Sequence, residues 1–249
     1  MKQAKIVAIG GGEVRKRETL SIDKEIIRLS GKKHPKLLFI PTASSDAEGY
    51  WETIKKYFGS LGCRTDVLFL VRKKPSPKET KRKILSADII YVGGGNTLKM
   101  MRLWRRLGVT KPLEIARGKG TVLCGVSAGS ICWFDSGHSD SMSFYSPKRW
   151  RYIKVKGLGF IKGIHCPHYD SATLGMKRNK KFQEMMRKMG GLGIALDNNC
   201  ALEMVGDSYR ILASKKSAGA YKVFKQKNRV ISQPILRTSE FLPLDTLYS

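Results

Sequence analysis

The chain has 249 residues, 41% of them hydrophobic and 27% charged, enough apolar side chain for a sizeable core at the upper end of what one domain holds. That balance excludes intrinsic disorder, a collagen-like fibre and a small disulfide-stapled scaffold. Forty-seven Lys and Arg against 20 Asp and Glu leave a net charge of +27, which eases encounter with polyanions or acidic small molecules without specifying any chemistry.

The first apolar run, Ile6 to Ile9, is four residues long before Gly10-Gly11-Gly12, far short of a signal-peptide core. Nothing later approaches the ~20 apolar residues of a membrane span. Five cysteines at irregular spacing read as free thiols in a reducing compartment, so a cytoplasmic protein with no membrane partner is expected. Short β-branched or apolar runs then alternate with helical patterns, the sequence form of a mostly parallel central sheet with helices on both faces. The expected strands are Lys5 to Ile9, Lys36 to Ile40, Thr65 to Leu70, Asp88 to Val92 and Thr121 to Gly125. Helices are expected over Ala47 to Ser60, Pro77 to Ser86 and Thr97 to Leu107, where apolar residues recur three or four apart. The basic runs, such as Arg72-Lys73-Lys74 and Lys81-Arg82-Lys83, fall at helix ends and loops. No helix-turn-helix, zinc-finger or aromatic RNA-binding signature accompanies them, so nucleic acid is not the favoured partner.

After Ser130 the periodicity fades, and Asp135 to Trp150 reads as a long loop. Strand-like runs resume near Tyr152 to Val155 and Gly163 to Cys166. A helix follows at Lys177 to Met189, and Ile194 to Phe224 reads as short strands joined by turns at Gly206-Asp207 and Ser217-Ala218-Gly219. No repeat, linker or low-complexity tract interrupts residues 1–249, so a single domain is expected.

The strongest local signal is Gly125-Val126-Ser127-Ala128-Gly129, a G-x-S-x-G motif between an apolar strand and a helical start. A sharp strand-to-helix turn needs small residues around a serine nucleophile, and it aims the Ala128 N–H at a developing oxyanion. Val92-Gly93-Gly94-Gly95-Asn96-Thr97 closes the preceding strand, and parallel strands end in one crevice, so Gly94 or Gly95 can supply a second oxyanion donor. No Lys-Ser/Thr follows these glycines as it would in a phosphate loop.

A serine nucleophile needs a base. His34 lies in a Lys-rich loop and reads as a surface residue; His168 follows Pro167 at the end of a strand-like run; His165 would point to the opposite face; His138 sits on the long loop. Asp140, Asp170 and Asp197 are the candidate carboxylates to orient the base, and spacing does not choose among them. His165, Cys166 and His168 lack the paired spacing of a structural zinc site, so no metal or cofactor is implied.

The combination of G-G-G-N-T at Gly93 to Thr97, G-x-S-A-G at Gly125 to Gly129 and Pro167-His168-Tyr169, with Phe39-Ile40-Pro41-Thr42-Ala43-Ser44 upstream, resembles the peptidase E (aspartyl dipeptidase) family. The resemblance implies a class I glutamine amidotransferase-like, flavodoxin-like α/β fold with a nucleophile elbow, and hydrolysis of short peptides, dipeptides with N-terminal Asp among them, by a monomer or homodimer. It puts the nucleophile on Ser127, the base on His168 and the third member on Asp197, with oxyanion donors from Ala128 and the Gly94-Gly95 segment. Asp140 and Asn96 are the expected substrate-binding residues. The family's substrate-carboxylate arginine has no evident counterpart, and Lys148, Arg149 and Arg151 are candidates on charge alone. The competing class is an inactive relative of the same fold that binds a polyanion.

Overall fold

A computed structural model describes residues 3–249. In chain order the first half runs β1 (Lys5–Ile9), α1 (Leu20–Leu29), β2 (Lys36–Ile40), α2 (Glu48–Ser60), β3 (Arg64–Val67), α3 (Pro77–Leu85), β4 (Ile89–Val92), α4 (Thr97–Arg106), α5 (Thr110–Gly118) and β5 (Val122–Val126). The five strands are parallel neighbours in the order β3, β2, β4, β5, β1. Alternation along each strand decides what covers it. Val7, Ile9, Leu37, Phe39, Ile89 and Tyr91 pack on one side with Ile22 and Ile26 of α1 and Ile54 and Phe58 of α2. Ile6, Ala8, Leu38, Ile40, Ile90 and Val92 pack on the other with Ile84, Met100, Trp104 and Leu113. The strands are therefore buried on both faces, as the near-continuous apolar runs require.

The second half begins with α6 (Ala128–Ile131), β6 (Phe134–Ser139), β7 (Ile153–Lys156), β8 (Ile161–Cys166), the two-residue strands β9 (Ala172–Thr173) and β10 (Met176–Lys177), α7 (Arg178–Met189) and β11 (Leu192–Leu196). It continues through β12 (Cys200–Val205), β13 (Ser208–Ala213), β14 (Ala220–Gln226), β15 (Arg229–Pro234), β16 (Leu242–Pro243) and α8 (Asp245–Tyr248). Strand β12 pairs antiparallel with β1, and β13 and then β16 follow, each antiparallel to its neighbour, making eight strands, while β15, β14, β11, β8, β6, β7 form a second, mixed sheet. Phe134, Ile161 and Ile194 of that sheet share one apolar cluster with α4 and the first sheet. Among the described residues, no helix is long and apolar enough to cross a membrane.

Three features differ from the sequence expectations. The expected loop from Asp135 contains β6: Phe134, Ser136, His138 and Ser139 are buried while Asp135 is exposed, and the polar Ser-Gly-His-Ser side chains hide the strand signal. Helices α1 and α5 are additions, their apolar stripes diluted by Ser, Asp, Lys and Arg. The expected Thr65–Leu70 strand stops at Val67, and Leu68 and Leu70 pack into the core from irregular backbone.

One buried carboxyl carries a stability prediction. Asp23 of α1 is fully buried, and its Oδ2 accepts from Thr19 Oγ1 and Tyr57 Oη at 2.8 Å each. Its Oδ1 has no partner, and burial pushes the carboxyl up to about 6. Because the folded state holds the proton more tightly than the unfolded chain, stability from this group is full below the unfolded value near 4 and is lost as pH rises through 6. Asp23→Asn should therefore gain on the wild type by roughly 1–2 kcal/mol between pH 5 and pH 8, read from urea unfolding at both pH values. An unchanged difference would mean that Asp23 titrates alike in both states.

Candidate active site

Gly95, Ser127, Asp140, His168 and Asn198 of the cleft stand just beyond the C-terminal ends of β4, β5, β6, β8 and β11, the usual ligand position in an open α/β sheet. Ser127 follows β5 and opens α6. Its backbone takes φ 57°, ψ −115°, a conformation that costs a non-glycine residue about 1–3 kcal/mol. The end of β1 and the first turn of α6 hold it there: Ser127 N–H donates to Ile9 O (3.1 Å), and the Ser130 and Ile131 N–H groups donate to Ser127 O. The motif's glycines have steric reasons. A Cβ on Gly125 would run into the backbone of Gly129, and one on Gly129 into the carbonyl of Val92.

His168 follows β8, and Asn198 follows β11, its parallel neighbour. His168 Nδ1 meets Asn198 Oδ1 at 2.6 Å. The amide's other end is fixed as well: Nδ2 donates to Asp170 Oδ1 (2.9 Å) and Ser171 Oγ (2.6 Å), and the Asn198 backbone N–H donates to Asp170 Oδ1 (3.0 Å). A carboxylate accepts only, so Asp170 forces the amide nitrogen toward itself and the amide oxygen toward the imidazole. The oxygen in turn requires the proton on Nδ1, which leaves Nε2 with a free lone pair. Burial and then the Arg178 charge hold His168 below the ordinary histidine range, opposed by the Asn198 hydrogen bond and by Asp140 and Asp170. The imidazole is therefore neutral, and basic at Nε2, at neutral pH.

Asp197, expected at this position, faces the other way. Its Oδ2 accepts from Gly219 N–H (2.9 Å) and Tyr221 Oη (3.4 Å), and burial holds its carboxyl above the usual range. Successive residues at a strand end point to opposite sides, so Asp197 ties β11 to the turn before β14 and Asn198 reaches the histidine. Reading for carboxylates alone passed over Asn198; the Asn198-Asn199 pair at a strand end was the available signal.

The cleft, about 340 Å³, is lined by Gly95, Ser127, Asp140, Phe144, His168 and Ser171 to Thr173, with Arg178 and Asn198. Ser127 and His168 face this common space without a direct hydrogen bond between them. Arg178, the first residue of α7, is the arginine that composition could not place. Its side chain is 5% exposed, lies 5.3 Å over the Tyr152 ring, and donates to Asp140 Oδ2 and to Thr173 Oγ1 (3.2 Å). Lys148, Arg149 and Arg151 do not line the cleft.

Asn96, expected to meet substrate, is buried as the N-cap of α4: Oδ1 accepts from Lys99 N–H (3.0 Å), and Nδ2 donates to Ser141 O (3.4 Å). Gly94 backs onto the nucleophile, since a Cβ built there would lie 3.3 Å from Ser127 Cβ. Gly95, the next residue, is the glycine of this turn that lines the cleft. Ala128 is the first residue of α6 and keeps an N–H that the helix cannot satisfy.

The other histidines lie outside the cleft. His34 is exposed against Gly62 O (3.0 Å). His138 is buried on β6, stacked on Tyr152, with Nδ1 3.6 Å from Cys166 Sγ. His165 is buried behind the elbow, Nδ1 on Ile194 O (2.9 Å) and Nε2 on Ser130 Oγ (2.8 Å), and burial pushes it down to about 3. Ser130 Oγ also lies 2.7 Å from Ser127 O, and because the neutral His165 keeps its proton on Nδ1 for Ile194 O, the single Ser130 hydroxyl proton serves either the imidazole or the carbonyl of the strained serine.

Residues 6–212 match the model of peptidase family S51. The chain belongs to this family. It is a serine-type peptidase, and the expected enzyme class and α/β fold both hold. It is 34% identical over 237 residues to the uncharacterized peptidase YgaJ of Bacillus subtilis, covering 94% of this chain and 97% of that one. It is 27% identical over 203 residues to Peptidase E of a Nostoc species, covering 77% and 78%. A crystal structure of a peptidase from an acI-B1 Actinobacterium shares the fold with a TM-score of 0.73 at 18% identity, covering 97% of each chain.

Proposed function

We propose that this S51 peptidase releases an N-terminal aspartate from short peptides, with Ser127 as nucleophile, His168 as base and the Asn198–Asp170 pair as orienter. The observation that carries the reading is the cleft itself, where a strained serine and a histidine poised at Nε2 share one space with a buried Arg–Asp pair.

Ser127 Oγ attacks the scissile carbonyl while His168 Nε2 takes the hydroxyl proton. The Ala128 and Gly95 N–H groups stabilise the tetrahedral oxyanion. The imidazolium then returns the proton to the leaving amine, and water, activated by the same nitrogen, hydrolyses the acyl-enzyme. An amide orienter fixes the tautomer without adding a full charge, as in Cys-His-Asn proteases. The charges that favour the imidazolium come from Asp140 and then Asp170, the latter one hydrogen bond beyond Asn198. At the other end of the cleft, Asp140 has acceptor capacity for the substrate's α-ammonium, and Arg178 has further donors for a side-chain carboxylate.

The test is hydrolysis of Asp-Leu beside Glu-Leu, Ala-Leu and Lys-Leu. Asp-Leu should lead Ala-Leu and Lys-Leu by at least about a hundredfold in kcat/KM, the value of a charge-assisted pair in a desolvated site. Equal rates across the panel would remove the aspartate assignment, and no cleavage of any member would remove the aminodipeptidase reading.

A further inference from the structure

A second cavity, a groove of about 740 Å³, runs beside the cleft and is lined by α4 and the segment after β3. Its rim carries Lys74, Lys99, Arg102 and Arg106, and no carboxylate contributes to the lining. Among the described residues none of these four cations is in a salt bridge; Lys99 Nζ meets only the Ser45 hydroxyl at 2.8 Å. Lys99, Arg102 and Arg106 are spaced i, i+3 and i+7 on one helix face, an arrangement of like charges that weakens the helix unless an anion relieves it. The floor is apolar, with Leu70, Leu103 and Leu107, and the exposed Tyr145 completes the lining.

The groove meets the catalytic cleft at two points. Gly95 lines the cleft and immediately precedes the α4 N-cap, and Phe144 lines the cleft while its neighbour Tyr145 lines the groove. Helix α4 has ten residues, so it leads away from the scissile position for about 14 Å. Extended peptide covers that distance in about four residues.

We propose that this groove binds the acidic C-terminal portion of a peptide substrate, up to about four residues beyond the scissile bond. The proposal rests on the aminopeptidase reading, in which Asp140 and Arg178 hold the amino end and the leaving side exits past Gly95. Extended peptide suits the groove because alternate side chains reach an apolar floor and a cationic rim. Single-stranded nucleic acid suits it less, since such grooves offer successive aromatic platforms and this one offers a single tyrosine.

The test compares Asp-Leu, Asp-Leu-Glu-Glu-Glu and Asp-Leu-Gln-Gln-Gln as substrates of the wild type and of an Arg102→Gln/Arg106→Gln variant, both positions being exposed. The acidic tail should raise kcat/KM about tenfold over the neutral one. That gain should vanish in the variant and in 0.5 M salt, with Asp-Leu turnover unchanged. Binding of fluorescein-labelled Leu-Glu-Glu-Glu to Ser127→Ala protein reads the groove without catalysis, so it holds even if no peptide is cleaved. Equal cleavage of both tails together with no binding of the labelled peptide overturns the proposal. So does tight binding of a labelled oligonucleotide that the acidic peptide fails to displace.

Discussion

Ser127→Ala should lower kcat/KM on any cleaved peptide by at least about 10⁴-fold while leaving the melting temperature within about 2 °C of wild type. The two halves of this expectation have separate causes. Among the described residues the Ser127 hydroxyl has no hydrogen-bond partner, so its removal orphans none. The strained backbone is as costly for alanine as for serine, so folding does not register the change. Ser127→Gly sharpens the point: glycine accepts φ 57° freely, and the variant should melt higher than wild type by the equivalent of about 1 kcal/mol while being equally inactive. A higher melting point with lost activity would show the elbow as strain maintained for catalysis. Turnover of Ser127→Ala near the wild-type rate would remove Ser127 as nucleophile. Labelling by a serine-directed phosphonate, present in wild type and absent in both variants, gives a readout that needs no known substrate.

The first half of the fold was legible because its strands are buried on both faces and read as plain apolar runs, and because its elbow glycines answer to contacts that admit no other residue. The second sheet was harder to read, since β6 presents serine, glycine and histidine to a buried polar layer and loses the apolar pattern. At the site, Ser127 and His168 were each marked by a local motif at a strand end. Asn198 and Arg178 were not, because their roles arise from long-range pairing. The parallel contact of β8 with β11 brings Asn198 to His168, and the start of α7 carries Arg178 to Asp140, 38 positions away. One position along a strand end decides between Asp197 and Asn198, and that is finer than the boundary of an element read from sequence.

Arg178→Met should cost both stability and selectivity, and the two can be separated. The guanidinium is almost wholly buried against Asp140, whose side chain is 19% exposed. Breaking such a pair leaves a carboxylate with one donor, Thr173 Oγ1, and should destabilise the fold by about 3 kcal/mol, the low end for a buried pair because Asp140 retains some water. The double variant Arg178→Met/Asp140→Asn removes the stranded charge and should recover most of that loss. Recognition should not recover. Against Asp-Leu the single variant should lose about 10²- to 10³-fold in kcat/KM, and against Ala-Leu far less, because only the acidic side chain calls on the guanidinium. The pH profile adds a readout that packing alone would not move. Arg178 is the leading charge that holds His168 below its ordinary range, so its loss should raise the histidine's pKa and carry the acidic limb of kcat/KM to higher pH. Equal losses on both dipeptides with an unmoved acidic limb would assign Arg178 to folding alone.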